Sequence, residues 1–286
     1  MGQCLSCYSY ASCITCNDVT LQVVIKLPHG HKSILYHNGV FLPIESIQEW
    51  VQELYNSNWE GWAAYNDDTT ITTLKSKGHC KGIVSWNLNK IGWLIHSVPN
   101  FPTELTHTSI SPILPSELMY GQSFVYIEMK YSNDRLENIF KQINWMDANI
   151  YLHNNLPLPN SYVSKLEIKK INISSTITHH SKPARYIVDI YGEYLCSLDS
   201  SKWYVETWRR GCPINKVTTN LYDVNKLCWN SLQYKESQDH SKWAVSKKYV
   251  WIGDLNRMES QKKRGGGGVL IRDHNLVKAF RSLIVS

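Results

Sequence analysis

Gly78-His79-Cys80-Lys81 and Asp239-His240-Ser241-Lys242 share one layout, and together they decide the fold. An apolar run typical of a strand follows each of them. A polar residue then comes 17 positions after the first histidine, at His96, and 16 positions after the second, at Asn256. Because alternate side chains of a strand point the same way, each histidine projects together with its lysine. The repeat predicts two similar halves that deliver two His-x-Lys pairs to one pocket.

The hydrophobic pattern around the two motifs mixes strand and helix signals. In the first half, strands are predicted in LQVVIKLP, around residues 33–36 and in GWAAYNDD, CKGIVSWN, IGWLIHSVP and SFVYIEM, and helices over 44–55 and 132–147. In the second half, strand signals lie around 164–178 and in ARYIVDIYGEYLCSL, WYVETWRR, WAVS and YVWIGDL. Helix signals lie in DVNKLCWNSLQY and around 275–284. This order predicts an α/β or α+β fold of two similar halves, each a mixed sheet flanked by helices.

The predicted organisation is one globular unit preceded by a tail. Residues 1–16 are rich in Cys and Ser without strand or helix periodicity, 17–156 form the N-terminal half and 157–286 the C-terminal half. The Pro- and Asn-rich HNNLPLPNS is the expected connector. Gly2 and Cys4 fit an acylation pattern, which predicts attachment to a membrane surface; a zinc site in the four tail cysteines and a disordered tail are the alternatives.

Composition restricts the partners and the compartment. The net charge of +6, a pI near 8.8 and eleven histidines favour polyanions, more strongly at acidic pH. No apolar run is long enough to span a bilayer, and no leader pattern opens the chain, so neither secretion nor a membrane span is expected. The four cysteines outside the tail are scattered, which favours a reducing, cytoplasmic location.

Two imidazoles and two ammonium groups that face each other are suited to phosphodiester chemistry without a metal or cofactor. One histidine attacks phosphorus, the other protonates the departing oxygen, and Lys81 and Lys242 stabilise the developing charge. The paired carboxylates of a two-metal nuclease are missing near the motifs. We expect Asp239, Asp254 and Ser97 to orient the imidazoles without contacting the substrate themselves.

The basic run before the glycines is the predicted DNA-binding element. Exposed glycine N–H groups can approach phosphate oxygens, although the Lys-Ser/Thr ending of a P-loop is missing. A flexible basic turn is the alternative, and Trp93, Trp243 and Trp251 either stack on bases or pack in the core. The predicted DNA-binding residues are Arg257, Lys262, Lys263, Arg264, Gly265 and Gly266.

The chain contains the segments GHCKG, HSVPNFP, YGQSF, DHSKWAVS, GDLNRM and QKKRGGGG, together with VVIKLP and the tripeptide YND. These segments resemble the signature segments of the deoxyribonuclease II family in family order. The resemblance runs from about Cys16 to the C-terminus. It implies a phospholipase-D-like fold with two related halves, and a metal-independent endonuclease that acts on double-stranded DNA and leaves 3′-phosphate ends. By the same resemblance His79 attacks, His240 is the general acid, His96 belongs to the site, and Asn256 stands where the superfamily binds phosphate.

The chain departs from that family in its cysteines. Family members tend to carry Cys near Tyr126, Ala244, Trp251 and Ile271, and they are typically secreted or lysosomal. The departure predicts a cytosolic member, of a kind that a DNA virus could encode, with a lysosomal location as the alternative. Whether the protein forms a homodimer is left open by the sequence. So are two other functions, a catalytically silent nucleic-acid binder and a lipid phosphodiesterase of the same superfamily.

Overall fold

The computed structural model describes residues 14–16, 18–156, 166–214 and 219–285. The predicted acylation sites Gly2 and Cys4 lie outside the described residues, as does most of the connector. The last three residues of the predicted tail form a strand, since Ile14 pairs with Leu21 and Cys16 with Val19 in antiparallel register. These three residues therefore belong to the folded sheet.

The first sheet occupies residues 14–154. Its order in the described chain is β4-β3-β2-β8-β7-β6-β5-β9, with β1 added beside β2, and all of its pairings are antiparallel. The strands are β1 (Ile14–Cys16), β2 (Val19–Lys26), β3 (Ser33–His37), β4 (Val40–Ile44), β5 (Gly61–Asn66), β6 (Lys81–Trp86), β7 (Lys90–His96), β8 (Gln122–Lys130) and β9 (Ile150–Asn154).

The second sheet has the order β10-β11-β18-β17-β16-β12-β13, and its edge pair β12-β13 is parallel. A separate hairpin, β14-β15, packs beside it. The strands are β10 (Lys169–Asn172), β11 (Ile177–Lys182), β12 (Trp203–Glu206), β13 (Leu221–Asp223), β14 (Lys226–Trp229), β15 (Leu232–Lys235), β16 (Trp243–Val245), β17 (Val250–Gly253) and β18 (Gly266–Ile271).

The helices are few, and the longer ones begin at side-chain caps. Ser46, Ser132 and Asp273 accept the backbone N–H groups of the first turns of α1, α3 and α5, and so satisfy donors that have no partner within the helix. The helices are α1 (Ile47–Leu54), α2 (Pro115–Leu118), α3 (Asn133–Trp145), α4 (Cys196–Leu198) and α5 (His274–Ser282).

One core joins the two sheets. The Trp93 ring lies 4.5 Å from the His179 ring of the other sheet, and Phe280 of α5 contacts both Phe41 and Trp243. Trp93, Trp243 and Trp251 are at most 1% exposed, so they pack in the interior. The packing interpretation of these three tryptophans is the correct one, because buried rings cannot stack on DNA bases.

Two secondary-structure predictions were wrong. DVNKLCWNSLQY is the β14-β15 hairpin rather than a helix, since Asn230 adopts a left-handed conformation and forms a two-residue turn with Ser231. ARYIVDIYGEYLCSL contains a π-helix over Ile190–Leu195 followed by α4, rather than a strand.

The mixed α/β architecture confirms the predicted fold class. The phospholipase-D-like relation between the halves stays a prediction. Across the described residues, no helix is long and apolar enough to cross a membrane.

Candidate active site

The first His-x-Lys motif lies where the chain enters β6. The His79 backbone N–H donates to the Gly265 carbonyl at 2.8 Å, and this bond fixes the motif against the second half of the chain. Cys80 is fully buried, whereas the side chains of His79 and Lys81 both reach the carboxylate of Asp67. The alternation predicted from the sequence therefore holds, with His79 and Lys81 on one side and Cys80 on the other.

Asp67, directly after β5, organises this half of the site. Its carboxylate accepts from His79 Nδ1 at 2.8 Å, from Arg264 Nη2 at 2.8 Å and from Lys81 Nζ. Burial raises the pKa of Asp67, but the charges of Lys81 and His79 outweigh burial and hold the pKa well below its usual range. Asp67 is therefore a permanent carboxylate that accepts a hydrogen bond from the Nδ1–H of His79, and the lone pair of His79 is on Nε2.

His79 is uncharged over the physiological pH range. Burial and the Lys81 charge lower its pKa to about 4, against the raising effect of Asp67. Its side chain keeps 15% exposure, so the ring still faces solvent. An uncharged imidazole with a fixed tautomer and an accessible Nε2 has the properties of a nucleophile.

The second motif precedes β16 and is held differently. The His240 backbone N–H donates to the Gly121 carbonyl at 2.8 Å. The Tyr120 ring stacks on the imidazole with 4.2 Å between centroids and 9° between planes, and Trp208 meets it edge-on at 4.4 Å. The nearest carboxylate oxygen, Oε2 of Glu117, lies 4.0 Å from Nδ1. Aromatic contacts, rather than an ion pair, orient this ring.

The charges of the two motifs affect each other. Burial lowers the pKa of His240 to about 3, and the charges of Lys242, Lys81 and His79 contribute to that shift. Burial and the Lys81 charge lower the pKa of Lys242 to about 7. Each motif therefore lies in the electrostatic field of the other, and their union in one active site stays a prediction. The concentrated positive charge favours a phosphate group between them.

Each half also contains a matching pair of hydrogen bonds that joins the residue after one strand to the neighbouring strand. Asp254 Oδ2 accepts the Gly267 N–H at 2.9 Å, and Ser97 Oγ accepts the Ser123 N–H at 3.0 Å. The backbone N–H of Asp254 donates to Gly267, and that of Ser97 to Ser123. By contacts, Ser97 therefore corresponds to Asp254. Spacing in the sequence aligns His96 with Asn256 instead, because the two strands after the first motif have six and seven residues and those after the second have three and four.

The predicted supporting residues touch no imidazole. Asp239 accepts the Ser241 N–H at 2.8 Å, Asp254 accepts that of Gly267, and Ser97 donates to Gln122 at 2.6 Å. They stabilise the loops that carry the motifs. The carboxylates nearest the imidazoles are Asp67 and Glu117, which the sequence analysis did not select. In the sequence Asp67 stands out only as part of the YND segment, and the separation of 123 residues between Glu117 and His240 gives no signal.

His96 and Asn256 are both buried. His96 is 2% exposed, and its Nδ1 accepts the Val98 N–H at 3.2 Å, which makes Nε2 the protonated nitrogen. Burial and the Lys81 charge lower the pKa of His96 to about 3, so it is neutral. Asn256 is 9% exposed, and its Oδ1 has no hydrogen-bond partner among the described residues. A phosphate-binding role for Asn256 stays a prediction.

The predicted DNA-binding run needs correction at four positions. Arg257 is 4% exposed and pairs with Asp223 at 2.8 Å and Asp189 at 3.5 Å, so its charge is neutralised inside the fold. Arg264 is bound to Asp67. Gly265 and Gly266 are buried at the start of β18, where a Cβ atom would collide with Met146 and Leu255. These glycines permit close backbone packing and form no exposed phosphate loop.

Lys262 and Lys263 remain candidates for DNA contact. Lys262 is half-buried and pairs with Glu259 at 3.0 Å, and Lys263 is exposed. Within the described residues, no group of three or more His, Cys, Asp or Glu side chains is placed to hold a metal ion. Metal independence stays a prediction.

Comparison with known proteins identifies the family to which this fold and site belong. The model of the deoxyribonuclease II family matches residues 43–286. The chain is 28% identical to cell-death-related nuclease 7 of Caenorhabditis elegans, over 87% of this chain and 74% of that protein. It is 29% identical to plancitoxin-1 of Acanthaster planci, over 80% and 72% of the two chains. It is 28% identical to deoxyribonuclease-2-beta of Mus musculus, over 88% and 78%. The chain therefore belongs to the deoxyribonuclease II family, whose members are hydrolytic nucleases.

Proposed function

We propose that this protein is a DNA endonuclease in which His79 is the nucleophile and His240 the general acid and base. The observation that carries the proposal is the difference between the two rings: Asp67 fixes the tautomer of His79 and leaves Nε2 with its lone pair, while His240 has no carboxylate within hydrogen-bond distance. The family match and the relatives named deoxyribonuclease support DNA as the substrate.

The first step is attack of His79 Nε2 on phosphorus. The P–N bond forms, the P–O5′ bond breaks, and His240 donates its proton to the departing 5′ oxygen. The product is a 3′-phosphoryl group on His79. In this scheme Lys81 and Lys242 stabilise the negative charge on the remaining phosphate oxygens, and their electrostatic effect on His240 supports that role.

The second step regenerates the enzyme. His240, now neutral, takes a proton from water, the resulting hydroxide attacks phosphorus, and the P–N bond breaks. DNA leaves with a 3′-phosphate end. The protein's own groups and one water molecule supply every proton and both nucleophiles in this scheme.

Substrate binding is expected to raise the pKa of His240. In the free site, burial together with Lys242, Lys81 and His79 lowers that pKa to about 3, which disfavours the protonated acid. A bound phosphodiester neutralises part of the lysine charge and favours the imidazolium. Activity should therefore rise as the pH falls toward the pKa of His240 in the complex, and decline once His79 is protonated.

Plasmid cleavage tests the proposal. Purified wild type and the variants His79→Ala and His240→Ala are incubated with supercoiled DNA from pH 4.5 to 8 in excess EDTA, and the ends are probed for 3′-phosphate. Nicking by wild type alone that survives EDTA supports the mechanism. Equal residual cutting in both variants, or DNA binding without cutting by wild type, would reject it and favour the silent nucleic-acid binder.

Location and assembly are further proposals. Free thiols at Cys80, Cys196, Cys212 and Cys228 support a cytoplasmic protein. Mass spectrometry of the N-terminal peptide tests acylation at Gly2 and Cys4, and hence membrane association. Analytical ultracentrifugation tests the homodimer.

A further inference from the structure

A groove separate from the histidine site lies at the edge of the second sheet, between β13, the start of β14 and the end of α5. Its volume is about 620 Å³. Tyr204 and Tyr222 are register partners on β12 and β13, and their rings stack with 5.6 Å between centroids and 28° between planes. Tyr222 is 41% exposed, so this ring is available to a ligand. We call this feature the tyrosine groove.

Cations surround the two rings. Arg281 lies 5.5 Å from the centre of the Tyr204 ring, and Lys202 lies 5.3 Å from that of Tyr222. Lys226 is exposed and lines the groove. Among the described lining residues only Asp223 is acidic, and Arg257 neutralises it at 2.8 Å. The groove is therefore an aromatic platform with a net positive border.

We propose that the tyrosine groove binds unpaired nucleotides of single-stranded DNA. Aromatic rings beside cations are the usual platform for single strands, because every base offers a π-face and every linkage a phosphate. Paired bases of a duplex do not expose their faces to a tyrosine. The chemistry recognises bases without reading their identity, so no sequence preference is expected.

The groove is linked to the histidine site through the end of β12. Trp208, which contacts His240, is four residues from Tyr204, a span of at most about 14 Å. Arg209 donates to the Val224 carbonyl and the Asn225 side chain, which line the groove. A strand held in the groove therefore lies within a few nucleotides of His240. The tyrosine groove is placed to hold a frayed end or a cleaved strand.

The test measures binding apart from cleavage. A fluorescent twelve-residue oligo-dT is titrated, by anisotropy, into the full chain carrying His79→Ala and into the same chain with Tyr222→Ala, Tyr222→Phe, Arg281→Ala or Lys278→Ala. Tyr222→Ala should weaken binding about tenfold, since one base loses its stacking partner. Tyr222→Phe should retain affinity. Arg281→Ala should weaken binding and reduce the slope of log affinity against log salt concentration by about 0.7, because one phosphate contact is lost. Lys278 is an exposed cation on the same helix outside the groove, so Lys278→Ala should bind like the parent.

Affinities of Tyr222→Ala and Arg281→Ala within twofold of the parent would overturn the inference. If Tyr222→Ala and Arg281→Ala lose affinity for duplex DNA as much as for oligo-dT, the single-strand assignment is wrong and the groove binds the duplex backbone. The inference does not depend on the proposed function: loss of oligo-dT binding in Tyr222→Ala supports it even if wild type cuts no plasmid, and unchanged binding rejects it even if cleavage requires both histidines.

Discussion

His79 and His240 stand in similar motifs but are held by different physical means. His79 donates to a buried carboxylate that also binds Lys81 and Arg264. His240 packs against two aromatic rings, and its nearest carboxylate oxygen is 4.0 Å away. A neutral imidazole whose Nδ1–H is held by a carboxylate keeps one tautomer, whereas an imidazole held by rings can gain and lose a proton without disturbing such a hydrogen bond. Similar motifs therefore support different roles, nucleophile and proton carrier.

The largest expected effect is on the rate with a substrate that has a good leaving group, and it separates the nucleophile from the proton carrier. In thymidine 3′-(p-nitrophenyl phosphate) the leaving group needs no proton, so His240→Ala should still form the phosphohistidine and release a burst of about one nitrophenol per protein. His79→Ala should show no burst and lose at least about a thousandfold in rate, as expected when a nucleophile is removed. Stopped-flow absorbance measures both. A burst in His79→Ala and none in His240→Ala would exchange the two assignments.

The next largest effect compares Asp67 and Glu117, the carboxylates nearest to His79 and His240. Asp67→Asn removes the acceptor of the His79 proton and the partner of Lys81 and Arg264. We expect about a hundredfold loss in kcat and about 3 kcal/mol loss in the free energy of unfolding, because buried cations are left unpaired.

Glu117→Gln is the matched control for that prediction. At 4.0 Å, Glu117 makes no close hydrogen bond to His240, so its amide variant should lose less than about tenfold in kcat. Saturation kinetics and urea unfolding of both variants provide the comparison. A Glu117→Gln loss as large as that of Asp67→Asn would show that the two histidines are held alike.

A smaller effect tests the ring contacts of His240. Tyr120→Leu removes the stacked ring and should lower kcat about two- to tenfold, the usual value of one aromatic contact, whereas Tyr120→Phe keeps the stack and should behave like wild type. The pH profile of kcat should shift for the leucine variant alone. Equal loss in both variants would assign the effect to the Tyr120 hydroxyl.

The smallest effect uses the correspondence of Ser97 with Asp254. Burial raises the pKa of Asp254 to about 7, although the Gly267 N–H and Lys81 lower it. Its folded-state pKa thus lies above the unfolded value of about 3.9, so its stabilising contribution is full below about pH 4 and is lost as the pH rises to 7. Asp254→Asn should therefore gain stability relative to wild type over that range, by at most about 1.4 kcal/mol per pH unit. Urea unfolding at pH 5 and 8 measures the gain.

Ser97→Ala is the control for this pH dependence. Ser97 occupies the corresponding place without a titrating group, so the difference between Ser97→Ala and wild type should not change between pH 5 and 8. A flat profile for Asp254→Asn would mean that Asp254 titrates normally in the folded protein.

Much of the fold and the two motifs could be predicted from sequence because the relevant signals are local. Alternation of side chains along a strand predicted His79 beside Lys81, and helical periodicity predicted α1 and α3. Local signals failed where the pattern was ambiguous. The Gly265–Gly268 run suggested a loop, yet Gly266–Gly268 form the start of a buried strand, because close packing against neighbouring backbone requires residues without Cβ.

By itself the sequence determined the mixed α/β class and the residue types of the site, since both depend on periodicity and on motifs of three to seven residues. Only the tertiary structure decided which carboxylates serve the imidazoles. Asp67 is 12 residues from His79, and Glu117 is 123 residues from His240. It also decided that Arg257 and Arg264 are neutralised within the fold. Such contacts are made between distant parts of the chain, and no short-range pattern encodes a distance between side chains that meet only after the two sheets have packed.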